Sequence, residues 1–172
     1  MDGAVRRARP ELTPFSVGVE IERKFLLANS SWKRGAHGQT IRQAYLSTDP
    51  DRTVRVRIVD DGAWLTIKGR AKGPMRAEFE YSIPVDEASE MIASLCLKPA
   101  IEKTRYRIDY QGDLWEIDEF SGDNAGLTVA EIELESVDQT FAVPSWLGAE
   151  VTDDPRYTNA RLSLDPFSRW SC

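Results

Sequence analysis

Charged side chains recur at every second position along most of the predicted strands, and their types are those that bind phosphate and metal ions. Arg and Lys donate hydrogen bonds to phosphate oxygens, and Arg can do so through two parallel N–H groups. Asp and Glu supply the oxygen ligands that Mg²⁺ and Mn²⁺ prefer. The bases are Lys24, Arg55, Arg57, Lys68, Arg76, Lys103, Arg105 and Arg107, and the acids are Glu20, Glu22, Glu78, Glu80, Glu116, Asp118, Glu131 and Glu133. Together they would suit a polyanion bridged to a divalent metal.

The first predicted strand, residues 18–27, shows the pattern plainly. Glu20, Glu22 and Lys24 share one face, because successive side chains of a strand point to opposite sides. The residues on the other face are mostly apolar. This strand alone would fit a solvent-exposed surface, and the pattern gains weight because later segments repeat it with the opposite charge.

Seven further strands are predicted from alternating polarity and from turn residues between the segments. They span residues 41–46, 52–59, 63–69, 76–83, 101–110, 114–120 and 127–134. Residues 85–97 instead have a helical period and predict an amphipathic helix whose apolar face carries Ala88, Met91, Ile92 and Leu95. From Pro144 onward the pattern is helical and irregular.

A sheet face made almost entirely of ions predicts an unusual architecture. The polar face of an ordinary half-buried sheet meets water and mixes Ser, Thr, Gln and Lys. Burying a charge is costly unless the charge is paired or bound to a ligand. A sheet that curls with its ionic face inward would form a barrel with a wet, occupied lumen, and helices would cover its apolar outer face. We therefore predict an α+β barrel with a charged lumen.

Length and composition limit the classes of protein. The 172 residues fit one domain, and the net charge of −6 argues against a general nucleic-acid binder. No apolar run approaches the roughly 20 residues of a membrane span, and the first residues lack the apolar core of a signal peptide. Cys96 and Cys172 have neither metal-ligand nor disulfide-scaffold spacing, which favours a reducing compartment. These features predict a cytoplasmic protein with neither nucleic acid nor membrane as partner.

The domain organisation follows from the same patterns. Residues 1–16 contain three arginines and two prolines with little apolar periodicity, which predicts a flexible N-terminal arm. Residues 17–165 form a single domain, since no repeat or linker marks a second one. Residues 166–172 form a short C-terminal tail.

The ordered motifs resemble the CYTH superfamily, the triphosphate tunnel metalloenzymes. Glu20-Ile-Glu22-Arg-Lys24 has the family's Glu-x-Glu-x-Lys signature. It is followed in order by Arg55-Val-Arg57, Leu65-Thr-Ile-Lys68-Gly, Glu78-Phe-Glu80, Lys103-Thr-Arg105, Trp115-Glu-Ile-Asp118 and Ala130-Glu131-Ile-Glu133. The match covers residues 17–162 and looks like the short bacterial members. The resemblance implies an eight-stranded antiparallel tunnel that binds a triphosphate.

The resemblance also implies a role for each charged residue. Mg²⁺ or Mn²⁺ would be held by Glu20, Glu22, Glu131 and Glu133, with Asp118 as a helper. Phosphate oxygens would be held by Lys24, Arg55, Arg57, Lys68, Lys103 and Arg105. Glu78 and Glu80 would be supporting carboxylates that orient the bases or approach a second metal. Lys24 or Lys103 would also be the catalytic residue that donates a proton to the leaving group.

The activity implied is metal-assisted hydrolysis of a terminal phosphoryl group. Inorganic tripolyphosphate is the first choice of substrate, because the short chain has no obvious additional nucleoside-binding segment. Class IV-type adenylate cyclase and thiamine or nucleoside triphosphatase are alternatives within the family. A non-catalytic polyphosphate or nucleotide-binding module and a barrel whose charges merely pair with one another are alternatives of other classes. A homodimer is a further expectation from the resemblance.

Overall fold

The alternating segments form one antiparallel sheet in the computed structural model, which describes residues 21–70 and 77–170. The strands are β1 (Ile21–Leu27), β2 (Gly38–Ser47), β3 (Arg52–Val59), β4 (Gly62–Gly69), β5 (Glu78–Ile83), β6 (Ile101–Tyr110), β7 (Asp113–Ser121), β8 (Thr128–Leu134) and β9 (Leu147–Glu150). Their order is β5-β4-β3-β2-β6-β7-β8-β1-β9. The predicted arm, Glu20, Arg76 and Cys172 lie outside the described residues.

The prediction of an antiparallel sheet with helices outside is confirmed, with one strand more than expected. Strands β1 to β8 correspond to the eight predicted segments. The ninth strand, β9, lies where the sequence predicted helical and irregular structure. It has only four residues, Leu-Gly-Ala-Glu, and pairs with β1 alone. A segment this short carries no readable alternation, so its strand conformation depends on the edge that β1 offers.

The predicted helix is present, but its last turn differs from the prediction. Helix α1 (Val85–Glu90) continues into a π-helical segment, Met91–Leu95. Ala88 and Ile92 are buried as predicted, whereas Leu95 is 67% exposed and Cys96 is buried. A π-helical turn contains one residue more than an α-turn. The prediction for Leu95 was wrong because this extra residue moves the apolar face from Leu95 to Cys96.

Shorter helical segments complete the chain. Helix α2 (Asn159–Leu164) follows the last strand, and 3₁₀ turns occur at Ser31–Lys33, Gly122–Asn124, Pro155–Tyr157 and Phe167–Arg169. Within the described residues no helix has the length and hydropathy needed to cross a membrane.

Two apolar clusters cover the outer face of the sheet. One lies over β1, β7 and β8, where Trp32 and Trp146 from the connections pack against Phe25, Trp115 and Ile132. The other lies over β2, β3 and β4 and buries Ala44, Val56, Ala63, Ala88, Ile92 and Cys96 between the sheet and the helical segment 85–95. Apolar residues are thus buried on the outside of the sheet, and the charged residues that alternate with them lie on its inner face.

A third apolar cluster lies at one end of the inner face. Ile101, Phe120 and Val129 each stand two residues from an inward-facing charge, so they share its face. They pack with Leu127 and with Leu162 from α2. Phe167 and Trp170, within the predicted tail, also pack against this cluster. The C-terminal segment therefore contributes to the apolar packing at this end.

Replacing Leu162 tests this packing. Leu162 is 0% exposed, so Leu162→Ala should reduce the free energy of unfolding by about 2–5 kcal/mol, because it leaves a cavity among apolar side chains. Leu164, in the same helix, is 47% exposed, and Leu164→Ala should change it by less than about 0.5 kcal/mol. Urea unfolding of both variants measures the difference, and equal stabilities would show that α2 is not anchored by this cluster.

Candidate functional site

The inner face of the sheet lines a large cavity, here called the lumen. Its volume of about 1620 Å³ exceeds the 300–1,000 Å³ of typical small-ligand pockets. The predicted site residues that line it are Glu22, Lys24, Arg55, Arg57, Lys68, Glu78, Glu80, Lys103, Arg105, Glu131 and Glu133. Asp118 lies behind this lining and is fully buried. The fold therefore brings together residues from strands far apart in the sequence.

One side of the lumen is a basic wall, formed by Arg55, Arg57 and Lys68 on β3 and β4 together with Glu78 and Glu80 on β5. Arg57 Nη2 donates to Glu80 Oε2 at 3.1 Å, and Lys68 Nζ lies 3.1 Å from Glu78 Oε2. In this wall each of the two glutamates contacts a base.

Thr66 on β4 links Arg55 on β3 to Glu80 on β5. Its hydroxyl accepts a hydrogen bond from Arg55 Nη2 at 3.2 Å and donates one to Glu80 Oε2 at 2.8 Å. The hydroxyl can do both because it has one donor and two acceptor lone pairs. Thr66 is buried, so it orients Arg55 and Glu80 without taking part in solvent contacts.

Two hydrogen-bond donors of the basic wall have no acceptor among the described residues. Nε of Arg55 and Nε of Arg57 are buried and have no hydrogen-bond partner among the described residues. Burial and the neighbouring Arg55 lower the pKa of Arg57 below its ordinary value, because each disfavours the charged form. A perturbed pKa in a cleft often marks a functional site. The missing acceptors and the local excess of positive charge both favour binding of an anion.

Toward the other end of the sheet, β1, β7 and β8 form an acidic wall that consists of Glu22, Glu116, Asp118, Glu131 and Glu133. Lys24 is buried within it and donates to Glu22 Oε1 at 2.6 Å and to Glu131 Oε1. Burial opposes the charge on Lys24, but Glu131 and Glu22 outweigh it and raise its pKa. Lys24 is therefore a firmly charged bridge between two candidate metal ligands.

Asp118 holds two bases of the neighbouring strand β6. Its Oδ1 accepts from Arg105 Nε at 2.7 Å, and its Oδ2 accepts from Arg105 Nη2 at 2.7 Å and from Lys103 Nζ at 2.5 Å. Burial raises the pKa of Asp118, but the two bases outweigh it and hold the pKa well below its usual range. Both oxygens of Asp118 thus contact bases, and the side chain is fully buried behind the lining of the lumen.

The two bases on β6 differ in their surroundings. Arg105 also contacts Glu116 and Glu131, so three carboxylates surround its guanidinium. Burial disfavours its charge, but Asp118 and the glutamates raise its pKa. Lys103 is fully enclosed, and burial lowers its pKa. Its Nζ also lies 3.3 Å from Oδ1 of Asn159 in α2.

The acidic wall also places carboxylates opposite each other. Glu22 pairs with Glu133 across β1 and β8, and Glu116 pairs with Glu131 across β7 and β8. Like charges at such positions repel unless a cation lies between them. No three acidic, histidine or cysteine side chains converge on a metal position in residues 21–70 and 77–170. One or two carboxylates suffice for Mg²⁺ when the substrate supplies phosphate oxygens, so Glu22 and Glu133 fit such a site.

The structure adds lumen residues that the sequence did not single out. Gln43, Thr66 and Asn159 line the cavity beside the charged residues. Thr66 stands two residues before Lys68 on β4, so the alternation along this strand already indicated that both share the inner face. Gln43 lies in a segment, Gln43-Ala-Tyr45-Leu, that is similar to a Gln-Gly-Tyr-Leu segment of the family, but alternation did not single out its face of β2, so it was not among the predicted site residues. Asn159 reaches the lumen only through the packing of α2.

Comparisons with known proteins agree with this architecture. A family model described as the CYTH domain matches residues 18–160. The inorganic triphosphatase of Acetivibrio thermocellus is 47% identical over 154 residues, which cover 90% of this chain and 99% of that protein. The inorganic triphosphatase of Nitrosomonas europaea is 38% identical over 152 residues, covering 85% and 97%. A crystal structure of an inorganic triphosphatase superposes with a TM-score of 0.65 at 37% identity and covers 84% of this chain and 94% of that one.

Proposed function

Because the chain belongs to the CYTH domain family, we propose that it hydrolyses inorganic tripolyphosphate to pyrophosphate and phosphate with the help of a divalent metal ion. One observation supports this most directly: residues of a basic wall with unpartnered donors and residues of an acidic wall line the same cavity. Two relatives that are 47% and 38% identical to this chain are named inorganic triphosphatases, which favours the same substrate here.

Binding of the substrate follows from the charges of the basic wall. Arg55, Arg57 and Lys68 would hold non-bridging phosphate oxygens, since guanidinium and ammonium groups form strong charge-assisted hydrogen bonds with them. The Nε donors of both arginines are already turned away from protein acceptors. Lys24, Lys103 and Arg105 would contact the substrate from the other side. Their present carboxylate partners also fix where these three bases lie.

The metal ion would be Mg²⁺ or Mn²⁺, held by Glu22, Glu131 and Glu133 together with Glu20. The bound ion would neutralise phosphate charge and orient the attacking water. Glu22 and Glu131 are fixed in place by their common contact with Lys24. We infer that Asp118 acts mainly by positioning Lys103 and Arg105, because both its oxygens contact these bases.

The chemistry requires one water molecule and no covalent intermediate. The water oxygen forms a bond to the terminal phosphorus, the bridging P–O bond breaks, and the water protons pass to the products and to solvent. The lumen bases stabilise the charge that moves to the leaving pyrophosphate. Lys24 or Lys103 would donate a proton to the leaving pyrophosphate and would regain one from solvent.

Several broader features complete the proposal. A single domain spans residues 17–165 between the N-terminal arm 1–16 and the tail 166–172. The partner is the triphosphate substrate, and the net charge of −6 disfavours nucleic acid. We infer a cytoplasmic enzyme that forms a homodimer. Gel filtration with light scattering tests the dimer directly.

Phosphate release from tripolyphosphate, ATP and thiamine triphosphate in parallel tests the activity. We expect rapid release from tripolyphosphate with Mg²⁺ or Mn²⁺ and none with EDTA, because the metal contributes several kcal/mol to the transition state. Cyclic AMP in the ATP sample would assign adenylate cyclase activity instead. If all three substrates stay intact while tripolyphosphate still raises the melting temperature, the lumen is a binding site and the proposed activity is wrong.

A further inference from the structure

A buried amide in the lumen has a hydrogen-bond donor without an acceptor. Gln43 lines the cavity from β2 and is 1% exposed, and its Nε2 has no hydrogen-bond partner among the described residues. A buried donor without an acceptor loses its hydrogen bonds to water, so native proteins keep few of them. An apolar side chain of similar length would avoid this loss. Packing alone therefore does not explain a glutamine at this position.

The cross-strand neighbours of Gln43 do not supply the missing acceptor. Gln43 pairs with Arg57 on β3 and with Ile101 on β6. A guanidinium group has only donors, and an isoleucine side chain has neither donor nor acceptor. These two neighbours therefore leave Nε2 without an acceptor, and Gln43 lines the lumen, where a bound molecule would supply one.

Two more unpartnered donors lie on the adjacent strand. Nε of Arg57 belongs to the residue directly opposite Gln43, and Nε of Arg55 belongs to the next residue on the same face. Three residues that each carry a buried, unpartnered N–H donor thus lie on neighbouring strands and line one cavity. An ionised phosphoryl group carries several acceptor oxygens and no donor, so its chemistry complements this set.

We propose that Gln43 is a substrate-binding residue, whose Nε2 donates to an oxygen of the phosphoryl group that Arg55 and Arg57 hold through Nε. This inference rests on the proposed function, since it places the triphosphate in the lumen. The amide is neutral and buried, so it would add a directional contact without adding charge. It would thereby help to fix the orientation of one phosphoryl group, because an amide N–H donates in a defined direction.

Kinetics of Gln43→Met and Gln39→Met test the contact. Gln39 lies on the same strand, but it is exposed and its Nε2 already donates to Asp60 Oδ2 at 2.9 Å. We expect Gln43→Met to raise the KM for tripolyphosphate about tenfold or more, as for loss of a hydrogen bond to a charged group. Gln39→Met should leave KM within about twofold, as for a surface change away from the site. An unchanged KM in a folded Gln43→Met protein would overturn the proposal.

A second measurement uses the unaltered protein and does not depend on turnover. The chain has four glutamines, so their side-chain ¹⁵N–H₂ signals are few enough to assign. With EDTA present, added tripolyphosphate should shift the Gln43 signal and leave the Gln39 signal in place. A Gln43 signal that stays fixed while tripolyphosphate raises the melting temperature would refute the contact. Because this titration measures binding alone, an inactive wild-type enzyme would refute the proposed function without deciding the role of Gln43.

Discussion

The variant Glu22→Gln is expected to lose about 10³-fold in metal-dependent turnover of tripolyphosphate, equivalent to about 4 kcal/mol of transition-state stabilisation. Glu22 faces Glu133 across β1 and β8, and its Oε1 accepts from Lys24. The amide keeps the shape of the side chain but removes the charge that a divalent cation requires. Steady-state rates across a range of Mn²⁺ concentrations measure the effect, and we expect half-saturation to move to higher metal concentration.

Glu102→Gln is the matched control for this change. Glu102 lies on the outer surface of the sheet, where its half-exposed carboxylate is 3.7 Å from Arg42. The same substitution there should leave turnover and metal half-saturation unchanged, because exposed ion pairs contribute little. Wild-type turnover and metal dependence in Glu22→Gln would remove Glu22 from the ligand set.

The second large effect is expected on stability. Asp118→Asn should lower the free energy of unfolding by about 3–5 kcal/mol, because Lys103 and Arg105 then remain buried without their main counter-ion. Asp118 is 0% exposed and accepts hydrogen bonds from both bases. A chain of this length should lose roughly 10 °C in melting temperature. Calorimetry of the unliganded protein measures the change independently of activity.

Asp51→Asn serves as the comparison for Asp118→Asn. Asp51 pairs with Arg70, and both side chains are more than half exposed. Solvent already screens this pair, so its melting temperature should hardly change. If Asp118→Asn were as stable as Asp51→Asn, the buried cluster would contribute nothing to stability. A fall in activity without a fall in stability would instead favour a direct role of Asp118 at a metal.

The distribution of ion pairs is compatible with a lumen that binds both a triphosphate and a divalent metal ion. On the acidic wall, Lys24 and Arg105 link carboxylates into a fixed array. On the basic wall, donors of Arg55 and Arg57 remain without acceptors among the described residues. Under the proposed function, phosphate would bind on the basic side, and the acidic side would supply the carboxylates for a cation. A lumen in which all charges merely paired would show no such asymmetry.

Local patterns in the sequence determined which residues form strands and which face of each strand is charged. Side-chain direction alternates within a strand, so the positions of Glu22, Lys24 and Arg57 on inner faces required no knowledge of their partners. The ordered motifs also identified the family. The same reasoning placed Leu95 on a buried face, because a π-helical turn leaves no signature in apolar spacing.

Only the tertiary structure determined which charged side chains contact one another. Strand β2 lies between β3 and β6, and this order sets Gln43 beside Arg57 and Ile101. Asp118 contacts both Lys103 and Arg105 because β6 and β7 pair in one register. The edge strand β9 exists through its pairing with β1. Partner and register depend on contacts between residues distant in the chain, and alternation along a single strand carries no information about them.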